Sequence, residues 1–136
     1  MKKILNYING ELTPPLSGLY LDNYDPAEGK VYSVVADSDE RDVANAAKAA
    51  KQAFPQWPWT SSEQRSSFLQ RIPDLIDRDL DKLARAESMD NGKPFKLAKS
   101  LDIPRASANL RFFATASIHF ASEAHITGSE AVNYTL

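Results

Sequence analysis

The chain has 136 residues, of which 43% are hydrophobic and 25% are charged, a balance typical of one globular unit or part of one. Sixteen basic and eighteen acidic residues give a net charge of -2 without a long basic run, which argues against nucleic-acid binding. Asn6 and Asn9 interrupt the first apolar stretch too early for a signal peptide, and no run reaches the ~20 apolar residues that span a bilayer, so we expect a cytoplasmic protein.

The first third of the chain has the pattern of short strands separated by turns. Residues 4–8 form an extended stretch that leads to Asn9-Gly10, two residues that tolerate the positive φ angles of a type I′ hairpin turn. A second turn, at residues 25–29, precedes the β-branched and aromatic stretch 31–35. The sequence therefore predicts a small β-layer at the start of the fold.

From Asp37 onward the apolar residues recur at helical spacing. Asp37 and Glu40 have the spacing of a capping box, and Pro55 ends the run. The apolar stripe is rich in alanine, which predicts close approach of this helix to a neighbour. Its residues are Val43, Ala46, Ala47, Ala50, Ala53 and Phe54.

A second helix is predicted after Thr60. Thr60 and Glu63 have capping-box spacing, and apolar residues continue at helical intervals as far as Ile76. Pro73 lies inside this pattern, where it removes a backbone donor at a cost of roughly 3 kcal/mol. We therefore expect a kink or a break near Ile72.

Two further helices and a strand complete the predicted elements. One helix ends at Gly92, which is followed by a proline and forms a typical C-terminal stop. The last helix is predicted from Asp102 to about residue 120, with Pro104 in its first turn. Residues 131–136 alternate like a half-buried strand with no obvious partner, which favours a truncated chain over a natural terminus.

The order of these segments resembles the start of the aldehyde dehydrogenase superfamily. Each motif is weak alone, but their ordered succession over nearly the whole chain is specific. The motifs are Tyr7-Ile8-Asn9-Gly10-Glu11, Asn23-Tyr24-Asp25-Pro26 with Gly29, Asp42-Val43 and the alanine helix as far as Trp57, Glu63-Gln64-Arg65, and Leu83-Ala84 followed by Glu87 to Pro94. Within the superfamily, Asp102-Ile103-Pro104-Arg105 resembles the branch that oxidises 2-aminomuconic and 2-hydroxymuconic semialdehydes.

The resemblance implies an α/β fold: the truncated N-terminal part of an aldehyde dehydrogenase, with a small β-layer and helices that pack on a Rossmann-like domain. Residues 1–136 would form the N-terminal portion of the NAD-binding domain, without the catalytic domain. In the family a cysteine thiolate attacks the aldehyde carbon, hydride passes to NAD, and a glutamate activates water. This chain contains no cysteine, so we expect it to be inactive by itself. The family resemblance also implies a small aldehyde substrate and a homodimer or homotetramer.

Arg105 is the candidate substrate-binding residue. In the branch that the motif resembles, an arginine at this position reaches the substrate entrance and binds a carboxylate. A planar guanidinium can bind a carboxylate through two parallel hydrogen bonds, which would orient a substrate whose acid group is remote from its aldehyde. In the predicted helix Arg105 lies in the first turn, where the macrodipole disfavours a cation by about 0.3–1 kcal/mol. The alternative is a surface arginine paired with Asp102.

An alkali-metal cation site is implied by the resemblance to betaine-aldehyde-type relatives. It would use backbone carbonyls of Asn23 and Tyr24 together with Asp90, because hard cations prefer oxygen ligands and a helix end offers unpaired carbonyls. The alternative places Asp90 at an ordinary helix terminus and residues 23–26 in a plain turn.

No other polar residues form a catalytic constellation in the sequence. His119 and His125 lie six apart, off the i, i+4 spacing of a helical metal pair, and Lys93 belongs to the helix stop rather than to a cofactor site. The cofactor-binding motifs are expected after Leu136.

Two other functions remain open: a short interaction module that docks onto full-length aldehyde dehydrogenase subunits, and a helical ligand-binding protein that uses the aromatic residues of the last helix.

Overall fold

The structure is a computed structural model and describes residues 1–135. Its strands are β1 (Lys2–Ile4), β2 (Asn6–Ile8), β3 (Glu11–Thr13), β4 (Tyr20–Asp25), β5 (Lys30–Ala36), β6 (Ala124–Thr127) and β7 (Ala131–Tyr134). Its α-helices are α1 (Glu40–Ala53), α2 (Ser62–Arg78), α3 (Leu80–Asn91), α4 (Phe95–Leu97) and α5 (Ile103–Ala116), with a 3-10 helix at Phe54–Trp59 and a π-helix at Ala98–Asp102. A β-layer followed by helices is thus confirmed. Within residues 1–135 no helix is long and apolar enough to cross a membrane.

The predicted hairpin at Asn9-Gly10 is present. Strands β2 and β3 pair antiparallel with Ile8 opposite Glu11, and φ is positive at both Asn9 (53°) and Gly10 (85°), as a type I′ turn requires. The single strand predicted over residues 4–8 is wrong, because Leu5 separates β1 from β2. Strand β1 pairs parallel with β5 while β2 pairs with β3, so the two strands belong to different sheets.

The main sheet has the order β1-β5-β4, with β5 in the centre. Its register shifts from Asn23 opposite Ser33 to Tyr24 opposite Val31, which leaves Tyr32 as the extra residue of a β-bulge. A bulge bends its strand and redirects the side chain at that point. This irregularity places Tyr32 against the end of α3, as described below.

The N-cap of helix α1 lies two residues after the predicted one. The capping box is formed by Asp39 and Asp42, not by Asp37 and Glu40. The Asp42 carboxylate is buried (4% exposed) and also accepts the backbone N–H of Leu16 at 3.1 Å, which ties the start of the helix to the preceding loop. The alanine stripe does not meet a closely packed neighbour within residues 1–135, since Val43 remains 64% exposed.

The capping box of α2 is also shifted by one residue, to Ser61 and Gln64 instead of Thr60 and Glu63. The helix runs without a break through Pro73, so the break predicted near Ile72 is wrong. Pro73 is fully buried, and the packing around its ring offsets the backbone hydrogen bond that it cannot make.

Helices α2 and α5 pack against each other through small buried residues. Ser66 of α2 lies on this buried face, as do Ser107 and Ala114 of α5. At the rim, the Arg111 guanidinium donates to Asp74 at 2.9 Å and to Asp77 at 2.6 Å. Because the buried side chains are small, the two helix backbones approach closely and α5 is held in a defined position relative to α2.

The last helix, α5, has Asp102 at its N-cap position and Pro104 in its first turn, as predicted, but it continues an earlier helical stretch and ends sooner than expected. The chain is helical from Phe95 through the π-helix into α5, which ends at Ala116 rather than near residue 120. Pro104 lacks a backbone N–H and its ring crowds the carbonyl of Ser100, and the wider π turn before it accommodates both effects.

The predicted C-terminal strand ends at Tyr134 and pairs antiparallel with β6, so the expectation that it lacks a partner is wrong. The rest of that prediction, at Leu136, lies outside the described residues.

Candidate functional site

The end of α3 fixes the backbone of Lys93. Gly92 ends the helix in the left-handed conformation (φ 76°) and donates its N–H to the carbonyl of Ser88 at 2.9 Å, which confirms the predicted stop. Both backbone groups of Lys93 are hydrogen-bonded. Its N–H donates to Asn91 Oδ1 at 3.0 Å, and its carbonyl accepts a hydrogen bond from Ser88 Oγ at 2.6 Å. The Lys93 side chain therefore leaves the helix end in one defined direction.

The Lys93 ammonium lies between two carboxylates from different elements. Its Nζ is 2.6 Å from Asp102 Oδ2, at the end of the π-helix, and 3.0 Å from Glu87 Oε1, on α3. The hydrogen bond to Asp102 and then the one to Glu87 raise the pKa of Lys93 above its usual value. Both partners of the closer pair are mostly covered, with 27% of the Lys93 side chain and 31% of the Asp102 side chain exposed.

Arg105 lies on α5, three residues after Asp102. Because the chain is already helical from Phe95, Arg105 is not in the first turn of a free helix, and the predicted macrodipole penalty does not apply. The pairing with Asp102 that we considered as an alternative is absent, since Asp102 is bound to Lys93. Arg105 is exposed, and within residues 1–135 its guanidinium forms no ion pair.

The candidate cation residues Asn23 and Asp90 are brought together, 67 positions apart in the sequence. Asn23 Nδ2 donates to Asp90 Oδ1 at 3.1 Å and to Tyr32 Oη at 2.9 Å, and Tyr32 Oη donates to the same Asp90 oxygen at 2.6 Å. The hydrogen bond to Asp90 raises the pKa of Tyr32, whereas those from Tyr32 and then Asn23 lower the pKa of Asp90. The side chain of Tyr24 is exposed and outside this cluster.

The donor set of this cluster fits a weakly held alkali-metal ion only in part. Both hydrogen bonds to Asp90 occupy Oδ1, so Oδ2 is the carboxylate oxygen that a cation could use. Within residues 1–135 no group of three or more His, Cys, Asp or Glu side chains could hold a metal ion. Backbone carbonyls would have to supply the other ligands. The sequence did not indicate Tyr32, because the bulge that places it there depends on how β4 pairs with β5.

The other titratable residues are not brought together. His125 Nε2 lies 3.5 Å from Glu123 on the exposed β6–β7 hairpin, and His119 is exposed elsewhere. A hydrogen bond from the backbone N–H of Glu63 and then one from Ser61 lower the pKa of Glu63 at the start of α2. None of these residues forms part of a catalytic or metal-binding cluster within residues 1–135.

Comparison with known proteins gives a consistent set of relatives. A model of the aldehyde dehydrogenase family matches residues 16–136. The 2-aminomuconic semialdehyde dehydrogenase of Bos taurus is 47% identical over 118 residues, covering 87% of this chain and 24% of that protein. A NAD+ complex of an aldehyde dehydrogenase from Bacillus cereus superposes with a TM-score of 0.91 at 30% identity, over 98% of this chain and 28% of that one. PnpE from Pseudomonas sp. WBC-3 superposes with a TM-score of 0.90 at 29% identity, over 98% and 27%. The chain spans about a quarter of the length of these relatives.

Proposed function

Because this chain belongs to the aldehyde dehydrogenase family, we propose that it serves in an NAD-dependent enzyme that oxidises a carboxylate-bearing semialdehyde to the corresponding acid. The main support for this choice of substrate is that Arg105 is exposed and unpaired within residues 1–135. Asp102, three residues earlier at the end of the π-helix, is bound to Lys93. Similarity to a 2-aminomuconic semialdehyde dehydrogenase supports the same substrate class.

Arg105 would orient the substrate rather than react with it. Two parallel N–H donors of a guanidinium fix both the position and the direction of a carboxylate, so the aldehyde at the other end of the substrate is aimed at one point. The chain has no cysteine, and we assign no catalytic residue to it. NAD, when bound, accepts the hydride that leaves the former aldehyde carbon. We place the nucleophile, the water-activating acid and the NAD-binding residues in the remainder of a full-length subunit.

Residues 1–136 would form the N-terminal portion of the NAD-binding domain of that subunit. The apolar faces left open by the chain support this assignment. Val43 on α1, Phe68 on α2 and Phe113 on α5 are each more than half exposed. Apolar stripes at helical spacing normally pack against a neighbour, and the rest of the domain would cover them.

The substrate class can be tested with a pair of aldehydes. A full-length subunit that carries this segment should oxidise a semialdehyde with a free terminal carboxylate at a kcat/KM about 10- to 150-fold higher than its methyl ester, followed as NADH formation. This range corresponds to the 1.5–3 kcal/mol typical of hydrogen bonds to a charged group. Equal kcat/KM values for the two aldehydes would count against the proposal. The isolated 136-residue chain is the control and should form no NADH with either substrate.

An alkali-metal ion bound by Asp90 Oδ2 and the backbone carbonyls of Asn23 and Tyr24 is a second part of the proposal. Its support is the position of Asp90 at the end of α3, beside Asn23. We expect the melting temperature of the full-length subunit to be a few degrees higher in potassium chloride than in choline chloride at equal ionic strength. Asp90→Asn should abolish this difference. Identical melting temperatures of the unaltered protein in the two salts would exclude a stabilising cation.

A further inference from the structure

Asp102 and Arg105 have the sequence spacing of a helical ion pair. They lie three residues apart in a continuous helical stretch, and residues at i and i+3 are neighbours on a helix surface. An aspartate and an arginine at this spacing attract each other. If Asp102 paired with Arg105, it would compete with any carboxylate that approaches the guanidinium from solution.

In the structure Asp102 is paired with Lys93 instead. The Lys93 ammonium is 2.6 Å from Asp102 Oδ2, and the Lys93 backbone is fixed by hydrogen bonds from Ser88 and to Asn91. Because the Lys93 backbone is already ordered, pairing with Asp102 costs only the freedom of the lysine side chain. The carboxylate is therefore directed toward the end of α3, and Arg105 is left available.

We propose that Lys93 is a positioning residue that sets substrate specificity, by binding Asp102 so that the Arg105 guanidinium stays open to the substrate carboxylate. This inference rests on the proposed function, because it requires Arg105 to be the carboxylate-binding residue. Lys93 itself does not touch the substrate. Its effect is on the fraction of enzyme whose Arg105 is unpaired, and the apparent affinity for the substrate falls as that fraction falls.

The structure offers a matched control in Lys99. Its Nζ lies 2.6 Å from Asp81 Oδ1, so a second ion pair ties the same π-helix to α3 without involving Asp102. If the ion pairs only stabilise the π-helix, Lys93→Met and Lys99→Met should have similar effects. If Lys93 acts on Arg105 through Asp102, only Lys93→Met should change the recognition of the carboxylate.

The test is a kinetic comparison in the full-length subunit with the carboxylate-bearing semialdehyde and its methyl ester. Lys93→Met should raise KM for the carboxylate substrate about three- to sixfold, the effect of an exposed ion pair between Asp102 and Arg105. We expect kcat, and KM for the ester, to stay unchanged. Lys93→Met/Asp102→Asn should restore KM, because no competing anion remains, and Lys93→Arg should retain the original value.

Three outcomes would overturn this inference. One is an unchanged KM in Lys93→Met, and another is a KM that stays raised in the double variant, which would show a structural role for Lys93. The same rise for Lys99→Met would also contradict it. If Arg105→Met leaves the preference for the carboxylate substrate intact, the proposed function fails as well. If Arg105→Met abolishes that preference but Lys93→Met leaves KM unchanged, only the present inference is overturned.

Discussion

Replacing Arg105 by methionine in the full-length subunit should lower kcat/KM for a carboxylate-bearing semialdehyde by about 10- to 150-fold and leave the methyl ester unaffected. Methionine keeps the length of the side chain and removes its charge and its donors. The substrate carboxylate then loses hydrogen bonds to a charged group, worth about 1.5–3 kcal/mol. Arg105→Lys should recover only part of the loss, because an ammonium is a point charge without the planar pair of donors.

Arg111 supplies the control for this experiment. It lies on the same helix and is also an exposed arginine, but its guanidinium is already bound to Asp74 and Asp77. Arg111→Met should therefore lower stability by about 1 kcal/mol or less and leave the ratio of kcat/KM between the two substrates unchanged. A similar loss for both substrates in Arg105→Met would mean that Arg105 supports the fold rather than the substrate.

Substituting valine for Gly92 should lower the free energy of unfolding by about 2–3 kcal/mol, measured by urea denaturation of the full-length subunit followed by circular dichroism. Gly92 has a φ of 76°, a conformation that a β-branched residue rarely adopts. An added Cβ would also lie 3.1 Å from Pro26 Cβ and 3.4 Å from the backbone N of Ala27. Both effects act at the point where α3 passes the turn between β4 and β5.

Gly18 separates the two contributions. Its φ is 70°, but an added Cβ would meet nothing within 4 Å. Gly18→Val should therefore show the backbone strain without the contact, and it should destabilise the subunit less than Gly92→Val. If both variants have the same unfolding free energy, the contact with Pro26 contributes nothing. If neither differs from the unaltered subunit, the left-handed conformation at these glycines is not required.

Local features of the fold were predicted well because they depend on neighbouring residues. The Asn9-Gly10 hairpin and the Gly92 stop follow from φ angles that few residue types adopt, and both are present. The two capping boxes were misplaced by one or two residues, at Asp39 rather than Asp37 and at Ser61 rather than Thr60. Adjacent Asp, Ser and Thr residues have similar capping chemistry, and only the packing of each helix decides which of them becomes the cap.

The predicted effect of proline on the helices was the least reliable prediction from the sequence. The local effect of proline on a helix is a lost hydrogen bond and a clash, and from that alone a break near Ile72 was expected. In the structure Pro73 is buried in an unbroken helix, while Pro104 follows a π turn that joins the last helix to the helical residues before it. The difference depends on burial and on the geometry of the preceding turn, which a sequence pattern does not contain.

By itself the sequence determined the family resemblance, the succession of a small β-layer and helices, and the choice of Arg105 and Asp90 as candidate site residues. Only the tertiary structure decided which groups meet: Asp102 with Lys93 instead of Arg105, and Asp90 with Tyr32 and Asn23. Turns and helix ends are set by backbone angles over a few residues. Ion pairs and hydrogen bonds between elements depend on how α3 packs against the sheet and the π-helix, which brings together partners as far apart in the sequence as Asn23 and Asp90, 67 positions.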